Sequence, residues 1–280
     1  MAIQMTTNSA NSWSPDIVAF TAQEIIPEAL VMQTSTVAGK VEGDAPAVRV
    51  PYVDDAEADF VAEGAEIPEA DPTLAEVVVH TGKVSQLVRV SREQWTQDGA
   101  AGLLSDSVRR AIINRANIAY IAQEAPTSPA VTPPAGLLNI DGVHDGGIVG
   151  DNLDTLADAF ATIEAANGTP THIIASPSAW SHLRKLKTGD AANTMLLGAG
   201  TQDTEKRLFG TQVLTSPAVP AGGLVVMDST AVVSAVGPVQ VQTSEHVYFS
   251  SDSIGLRCTF RFGQNLVRPD RVATLTVDAA

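Results

Sequence analysis

Residues 46–91 read PAVRVPYVDDAEADFVAEGAEIPEADPTLAEVVVHTGKVSQLVRVS. Two alternating, β-branched runs flank a tip that holds nine acidic residues: Asp54, Asp55, Glu57, Asp59, Glu63, Glu66, Glu69, Asp71 and Glu76. No Lys or Arg lies between Arg49 and Lys83. The runs suit a long β-ribbon, since β-branched residues favour extended, half-buried backbone. The tip has too few apolar residues to build a core of its own. A long ribbon with a charged tip is an arm that needs a surface to lie on, and the expected surface is another copy of the same chain. The second run, Val77 to Val90, is expected as one strand of about 45 Å at ~3.3 Å per residue.

The acidic tip has a competing reading as a solvated loop. Phe60, Val61 and Ile67 speak against it, because they are apolar with no evident local core. The favoured reading docks the tip on arginines of a neighbouring subunit. Asp54, Asp55, Glu57, Asp59, Phe60, Glu63 and Glu66 are the candidates on the tip. Arg109, Arg110, Arg115, Arg257, Arg261, Arg268 and Arg271 are the candidates to receive them. One exposed ion pair contributes only ~0–1 kcal/mol, so such docking has to be repeated many times to matter.

The rest of the chain extends outward from this ribbon. It has 280 residues and a formal charge of −15, with 44% hydrophobic and 18% charged residues. That composition is globular, and its acidity argues against a protein that grips nucleic acid through its phosphates. A wall around nucleic acid is still allowed, since a wall need only avoid sticking. Upstream, residues 1–16 are polar and lack periodicity, and no basic or apolar signal region opens the chain. Residues 16–38 are expected to carry one or two short helices, one from Asp16 and one from Pro27.

Downstream, Leu104, Val108, Ile112, Ala116, Ala119 and Tyr120 recur at spacings of three and four. This predicts an amphipathic helix of about 22 residues, ended by the prolines of APTSPAVTPPAG. Then come a helix, a short strand at 172–175, and a helix opened by Ser176-Pro177, a good N-cap and first-turn pair. Three strand-like runs follow. The last 30 residues alternate with period two and predict two strands about a turn at Arg268-Pro269-Asp270. These closing strands need an apolar partner, and the long helix is the expected one.

The order of arm, ribbon, long helix, α/β insert and terminal strands resembles the major capsid proteins of tailed double-stranded DNA bacteriophages, the HK97 fold. VRVPYV with its acidic stretch and the run into VRVSRE is similar to the family's extended loop feeding its spine helix. HIIASPSAWSHLRKLK resembles the strand, Ser-Pro and helix segment of the axial domain. FGTQVLTSPAVPAGGLVVMDSTAVV and GLRCTFRFGQNLVRPDRVATLTV resemble later segments of the family, with Arg257, Arg261, Val267, Pro269 and Ala273 near an expected pattern from which Asp270-Arg271-Val272 departs. The resemblance covers about residues 20–277.

It implies an α+β HK97-like fold with an N-terminal arm at 1–45 and an extended loop at 46–91. A peripheral domain with the spine helix would take 92–135 and 240–280, and an α/β axial domain 136–239. It implies a non-enzymatic shell protein that assembles as hexamers and pentamers into an icosahedral head around packaged DNA. Expected partners are other copies, a portal, scaffolding and possibly decoration proteins, with no membrane and with assembly in the host bacterial cytoplasm. The short arm implies that scaffolding is a separate protein or absent. The lysine-free tip argues against the loop-borne covalent crosslink of some relatives. The alternative within the fold is an encapsulin-type bacterial compartment shell. From another class, the α/β stretch 136–239 could be an enzyme or ligand-binding domain.

Chemical motifs are weak. Gly39-Lys40 and Gly82-Lys83 are followed by Val, so neither is a P-loop, and Gly198-Ala199-Gly200 lacks the dinucleotide setting. His80, His144, His172, His182 and His246 show no metal spacing. Asp54-Asp55 and Asp151 with Asp154 could offer oxygens to Ca²⁺, but no D-x-D-x-D-G loop is present. Cys258, the only cysteine, sits in an alternating run and is read as a small buried hydrophobe. No catalytic residue, metal or cofactor is expected.

Overall fold

A computed structural model describes residues 17–20, 28–41, 46–54, 60–61, 64, 69, 73–97, 100–188, 194–197 and 206–278. In chain order the first elements are β1 (Ile17–Phe20), α1 (Leu30–Thr34), β2 (Thr36–Lys40), β3 (Ala47–Asp54), β4 (Thr73–His80), β5 (Gly82–Ser91), α2 (Arg92–Trp95) and α3 (Ala100–Ala122). Then follow β6 (His144–Val149), α4 (Asp154–Ala165), β7 (His172–Ala175), α5 (Pro177–Lys185), β8 (Arg207–Leu208), β9 (Thr211–Thr215) and β10 (Gly223–Met227). The chain closes with β11 (Val232–Val236), β12 (Val239–Tyr248), β13 (Ser253–Leu266) and β14 (Val272–Val277).

Strand β13 organises the first sheet. It pairs with β5 from Ser253↔Ser91 to Phe262↔Gly82. It also pairs with β12 from Gln240↔Thr259 and with β11 from Val232↔Leu266. Its alternation is clean: Ile254, Leu256, Cys258, Phe260 and Phe262 are buried on one face. The stripe of α3 packs on that face, with Val108, Ile112, Ala116, Ala119 and Tyr120 in the same core. The expected union of the long helix with the closing strands therefore forms. Gln264 adds a polar tie, its Nε2 donating to the carbonyls of Ala119 at 3.2 Å and Ala135 at 2.8 Å. Gly136 ends the turn after α3. A Cβ there would stand 2.5 Å from the Gln123 nitrogen, so only glycine lets the chain come so close.

Two expectations about this half change. Ile17–Phe20 is a strand, not the start of a helix, because it pairs antiparallel with Val239–Gln242. A sheet edge with open backbone groups outweighs a weak local signal. The run Val77–Val90 is two strands with Thr81 between them. β4 pairs with β3, from Ala47↔His80 to Asp54↔Thr73, while β5 pairs with β13. Gly263 lies against this junction, where a Cβ would come within 1.9 Å of the His80 carbonyl oxygen.

The second sheet has the order β6-β14-β10-β7-β9-β8. It packs on α4 and α5 through Leu156, Phe160, Ile163, Ile173, Leu183, Leu224 and Val226. Ser176 caps α5 as expected, its Oγ accepting from the Ala179 nitrogen at 3.1 Å. Strand placement differs from the sequence reading at two points. Of the closing strands, β13 lies in the first sheet but β14 joins β10 and β6 in the second. Conversely β11 leaves the insert for the first sheet. After its first passage from β5 through α3 to β6, the chain thus crosses between the sheets at β10–β11 and again, alongside, at β13–β14. Asp228, only 4% exposed, pins both crossings. It accepts from the nitrogens of Thr169 at 3.1 Å and Thr230 at 2.9 Å, and Arg271 approaches it at 4.0 Å.

Truncating Phe260 tests the shared core. Phe260→Ala should cost about 3–5 kcal/mol, read as a lower urea midpoint with an unchanged slope. A loss below ~1 kcal/mol would mean that β13 and α3 do not depend on this contact.

Candidate inter-subunit surface

The base of the β3–β4 ribbon is buried against the body. Val41, Val79, Val233 and Ala235 form a small buried cluster, with Val48, Val50 and Val77 packed against it. Asn265 Nδ2 donates to the Val78 carbonyl at 2.9 Å, and Arg49 pairs with Glu76 at 2.6 Å. Farther out the side chains lose cover. Leu74 is 80% exposed and Phe60 109%. These apolar groups have no burial within their own chain, and ~25 cal/mol per Å² favours covering them.

Of the tip candidates, Asp54 ends β3 opposite Thr73. Phe60 is described and exposed. Asp55, Glu57, Asp59, Glu63 and Glu66 lie outside the described residues.

The candidate arginines fall into two groups. Arg261 donates to Thr81 Oγ1 at 3.2 Å, so it braces the junction of ribbon and body. Arg268 donates to the Val53 carbonyl at 3.2 Å and holds the ribbon from the side. Arg271 donates to the Ala166 carbonyl at 3.0 Å. These three have work within their own chain. Arg110, Arg115 and Arg257 are exposed. Arg115 donates to Gln123 Oε1 at 2.7 Å and Arg257 donates to Gln242 Oε1. Arg109 lies on the same helix, 3.6 Å from Glu28.

Sequence reasoning missed the face on which Arg257 sits. Strand register sets Lys83 beside Arg261 and Leu87 beside Arg257, with Ser85 beside Thr259 between them. Arg89 follows on the same face, 4.9 Å above the Tyr248 ring. This side of the sheet, opposite α3, therefore carries Lys83, Arg89, Arg257 and Arg261 in a protein of net charge −15. The signal was present as period two in both K-V-S-Q-L-V-R and R-C-T-F-R, but only the pairing of β5 with β13 makes it one surface. Beyond this row, Arg92 donates to Asp252 at 2.8 Å and lies 3.3 Å from Glu245. Those hydrogen bonds, Asp252 first, hold its pKa above the ordinary value.

The other titratable shifts belong to structure. Burial pushes the Tyr120 hydroxyl up, while its bond to Thr34 Oγ1 at 2.9 Å opposes the shift. Burial also raises the Cys258 thiol and lowers His172. Among the described residues no group of His, Cys, Asp or Glu is placed to hold a metal, and no helix is long and apolar enough to cross a membrane.

The chain matches the Phage capsid family over residues 17–277. Its fold is similar to solved chains from Mycobacterium phage Bobi and Microbacterium phage Oxtober96. The first has TM-score 0.67 and 18% identity, covering 90% of this chain and 91% of that one. The second has TM-score 0.68 and 16% identity, covering 99% and 96%. It is equally similar to a chain described as the capsid of an empty GTA particle computed with C5 symmetry, at TM-score 0.67, 16% identity, 100% and 96% coverage. No curated protein matches the chain.

Two outcomes test this geometry. Arg268→Ala should speed amide exchange in residues 47–54 several-fold while leaving β13 unchanged; equal exchange in both proteins would remove the bracing role. For His172 the sign follows from burial. Its folded pKa lies below the unfolded value of about 6.5, so the folded state binds fewer protons. Stability is full above that value and falls as pH drops through it. Denaturant midpoints of His172→Gln should vary less between neutral pH and about pH 5 than those of the wild type.

Proposed function

Because the chain belongs to the phage capsid family, we propose that its copies assemble as hexamers and pentamers into the icosahedral head shell that encloses packaged double-stranded DNA. The observation that carries this reading is the family match from residue 17 to 277, which spans ribbon, spine-like helix α3 and both sheets. The geometry supports it. A ribbon leaves its own body with bare apolar side chains, and the body offers exposed cations to receive an acidic tip.

The protein's work is then structural and not enzymatic. Each contact is weak, but every subunit makes several and each is repeated around the shell, so their effects multiply. The absence of Lys between Arg49 and Lys83 leaves noncovalent contacts to hold the ribbon. The acidic net charge keeps the wall from binding its cargo tightly. A portal, scaffolding and decoration proteins complete the assembly in the host cytoplasm, and the mature protein resides in the virion. The same resemblance divides the chain into an arm at 1–45, a loop at 46–91, a peripheral domain at 92–135 with 240–280, and an axial domain at 136–239. In the sheets themselves, β11 pairs with β13 and β14 pairs with β10. The encapsulin reading is the weaker one, since the family matched is that of phage capsids.

Electron microscopy of the recombinant protein tests the proposal: closed, regular shells are expected, and a monodisperse monomer at all concentrations would overturn it. Reversing two helix charges, Arg109→Glu with Arg110→Glu, should lower the yield of particles while the monomer keeps its helical spectrum. Wild-type yield from that variant would show that these arginines take no part.

A further inference from the structure

Gln264 is 3% exposed, and its amide nitrogen is spent on the carbonyls of Ala119 at 3.2 Å and Ala135 at 2.8 Å. Those two bonds fix which end of the amide is oxygen. Its Oε1 is buried and meets no donor among the described residues. A buried acceptor left unpaired is costly, because it has given up water for nothing. Gln264 lines a cavity of about 300 Å³, small but of ligand size. Segments far apart in sequence make its walls: β4 through Val78 and His80, β13 through Gln264 and Asn265, and the proline loop with residues 139–141 behind it. This lining is poor in donors. Asn265 gives its Nδ2 to the Val78 carbonyl at 2.9 Å, and Asn139 gives its Nδ2 to the Gln123 carbonyl at 2.9 Å. Pro126 and Pro134 have no N–H to offer. Among the described residues no Lys or Arg borders the cavity, and Asp141 is its one carboxylate. The neighbouring groove, which shares Pro134, holds Lys83 and Arg115. The proline loop therefore separates a cation-lined recess from an acceptor-lined one.

We propose that this cavity binds a small aliphatic amine, in the simplest case a linear diamine, which ties the base of the ribbon to the body. An ammonium group brings donors and no acceptor, the complement of a wall whose own donors are spent. One ammonium pairs with Gln264 Oε1 in the depth of the cavity. The other pairs with Asp141, which is exposed and stands at the mouth. The methylenes between them lie on Val78, Pro126, Pro134 and Ile140. Other ligand classes fit less well. An anion would meet Asp141 with no Lys or Arg to offset it. A wholly apolar molecule would leave Gln264 Oε1 unpaired. A calcium ion asks for about six to eight oxygens, whereas most of this lining is apolar, and no metal-binding group of His, Cys, Asp or Glu forms among the described residues. The net charge of −15 also draws small cations toward the surface. Every wall comes from one chain, so the site does not rest on the shell reading. A ligand held only by the folded chain stabilises it by mass action, and here it would do so where Val78 of the ribbon meets Gln264 of the body.

The probe is 1,4-diaminobutane, titrated calorimetrically into the full-length chain at fixed ionic strength. Saturable binding of one molecule per chain is expected. 1,4-Butanediol, with the same carbon chain and no charge, should not bind. Asp141→Asn changes an exposed side chain and should weaken diamine binding at least about tenfold. Gln264→Met keeps the volume and removes the acceptor, and should weaken it likewise, with circular dichroism checking the fold; if that variant does not fold, Asp141→Asn still decides. The melting midpoint should rise with diamine concentration in the wild type and not in Asp141→Asn. Amides of residues 78–80 and 264–265 should exchange more slowly with the diamine present. Absence of saturable binding would remove the proposal. Equal binding by Asp141→Asn and the wild type would remove it too, since net charge alone would then be gathering the diamine. Binding of the diol as strong as that of the diamine would make the cavity merely apolar, and displacement of the diamine by calcium at the same ionic strength would assign it to a metal ion. Either result overturns the amine site. None of these readouts needs closed shells, so a failure to bind leaves the shell reading intact and a failure to assemble leaves this site intact.

Discussion

The two-sided pairing of β13 is the constraint on which the rest depends. One strand of 14 residues gives one edge to β5 and the other to β12 and β11. Its buried face supplies the ground on which α3 lies. Without that face the helix stripe has nothing apolar to cover, and without its edges neither the ribbon nor the N-terminal strand is connected to the body. Its hairpin with β12 is local, but its pairings with β5 and β11 are long-range in sequence. The pairing of β13 with β5 closes a loop of more than 150 residues, the kind of non-local contact that slows folding.

The second layer shares this dependence through its core. Ile174, Val225, Met227 and Val272 belong to the second sheet, yet they pack in the same cluster as Phe260 and Ile112. Asp228 supplies the polar part of that junction. A buried carboxylate is costly unless its acceptor sites are filled, and here Thr169, Thr230 and Arg271 fill them. The side-by-side crossings are thereby fixed by one residue's hydrogen-bonding needs.

Much of this was legible in the residues. The spacing of Leu104, Val108, Ile112, Ala116 and Tyr120 gave the helix and its buried side, because a helical period maps sequence onto one face. Ser176-Pro177 gave a helix start for a local chemical reason. Alternation from Ile254 to Phe262 gave a face, but a period of two names no partner. That is why β14 and β11 changed sheets relative to the reading, and why Ile17–Phe20 passed for helix. The candidate surface divides likewise. An acidic tip is visible as composition. Its receiving cations are spread over Lys83 to Arg89 and Arg257 to Arg261, and only pairing in space gathers them. Arg261 and Arg268 looked like surface charges until their carbonyl and hydroxyl acceptors were in place.

Thr81 has a mechanical meaning. It is buried, its nitrogen bonds to the Pro46 carbonyl at 2.9 Å, and Arg261 reaches it from β13. The junction residue therefore helps to aim a ribbon eight residues long, together with Arg268, which holds it near its far end. Over a lever of about 26 Å, at ~3.3 Å per residue, a turn of ~10° at the fulcrum swings the far end by ~5 Å. The bonds of Thr81 at the base and of Arg268 on Val53 farther out thus matter through leverage: each degree they hold back is multiplied along the ribbon.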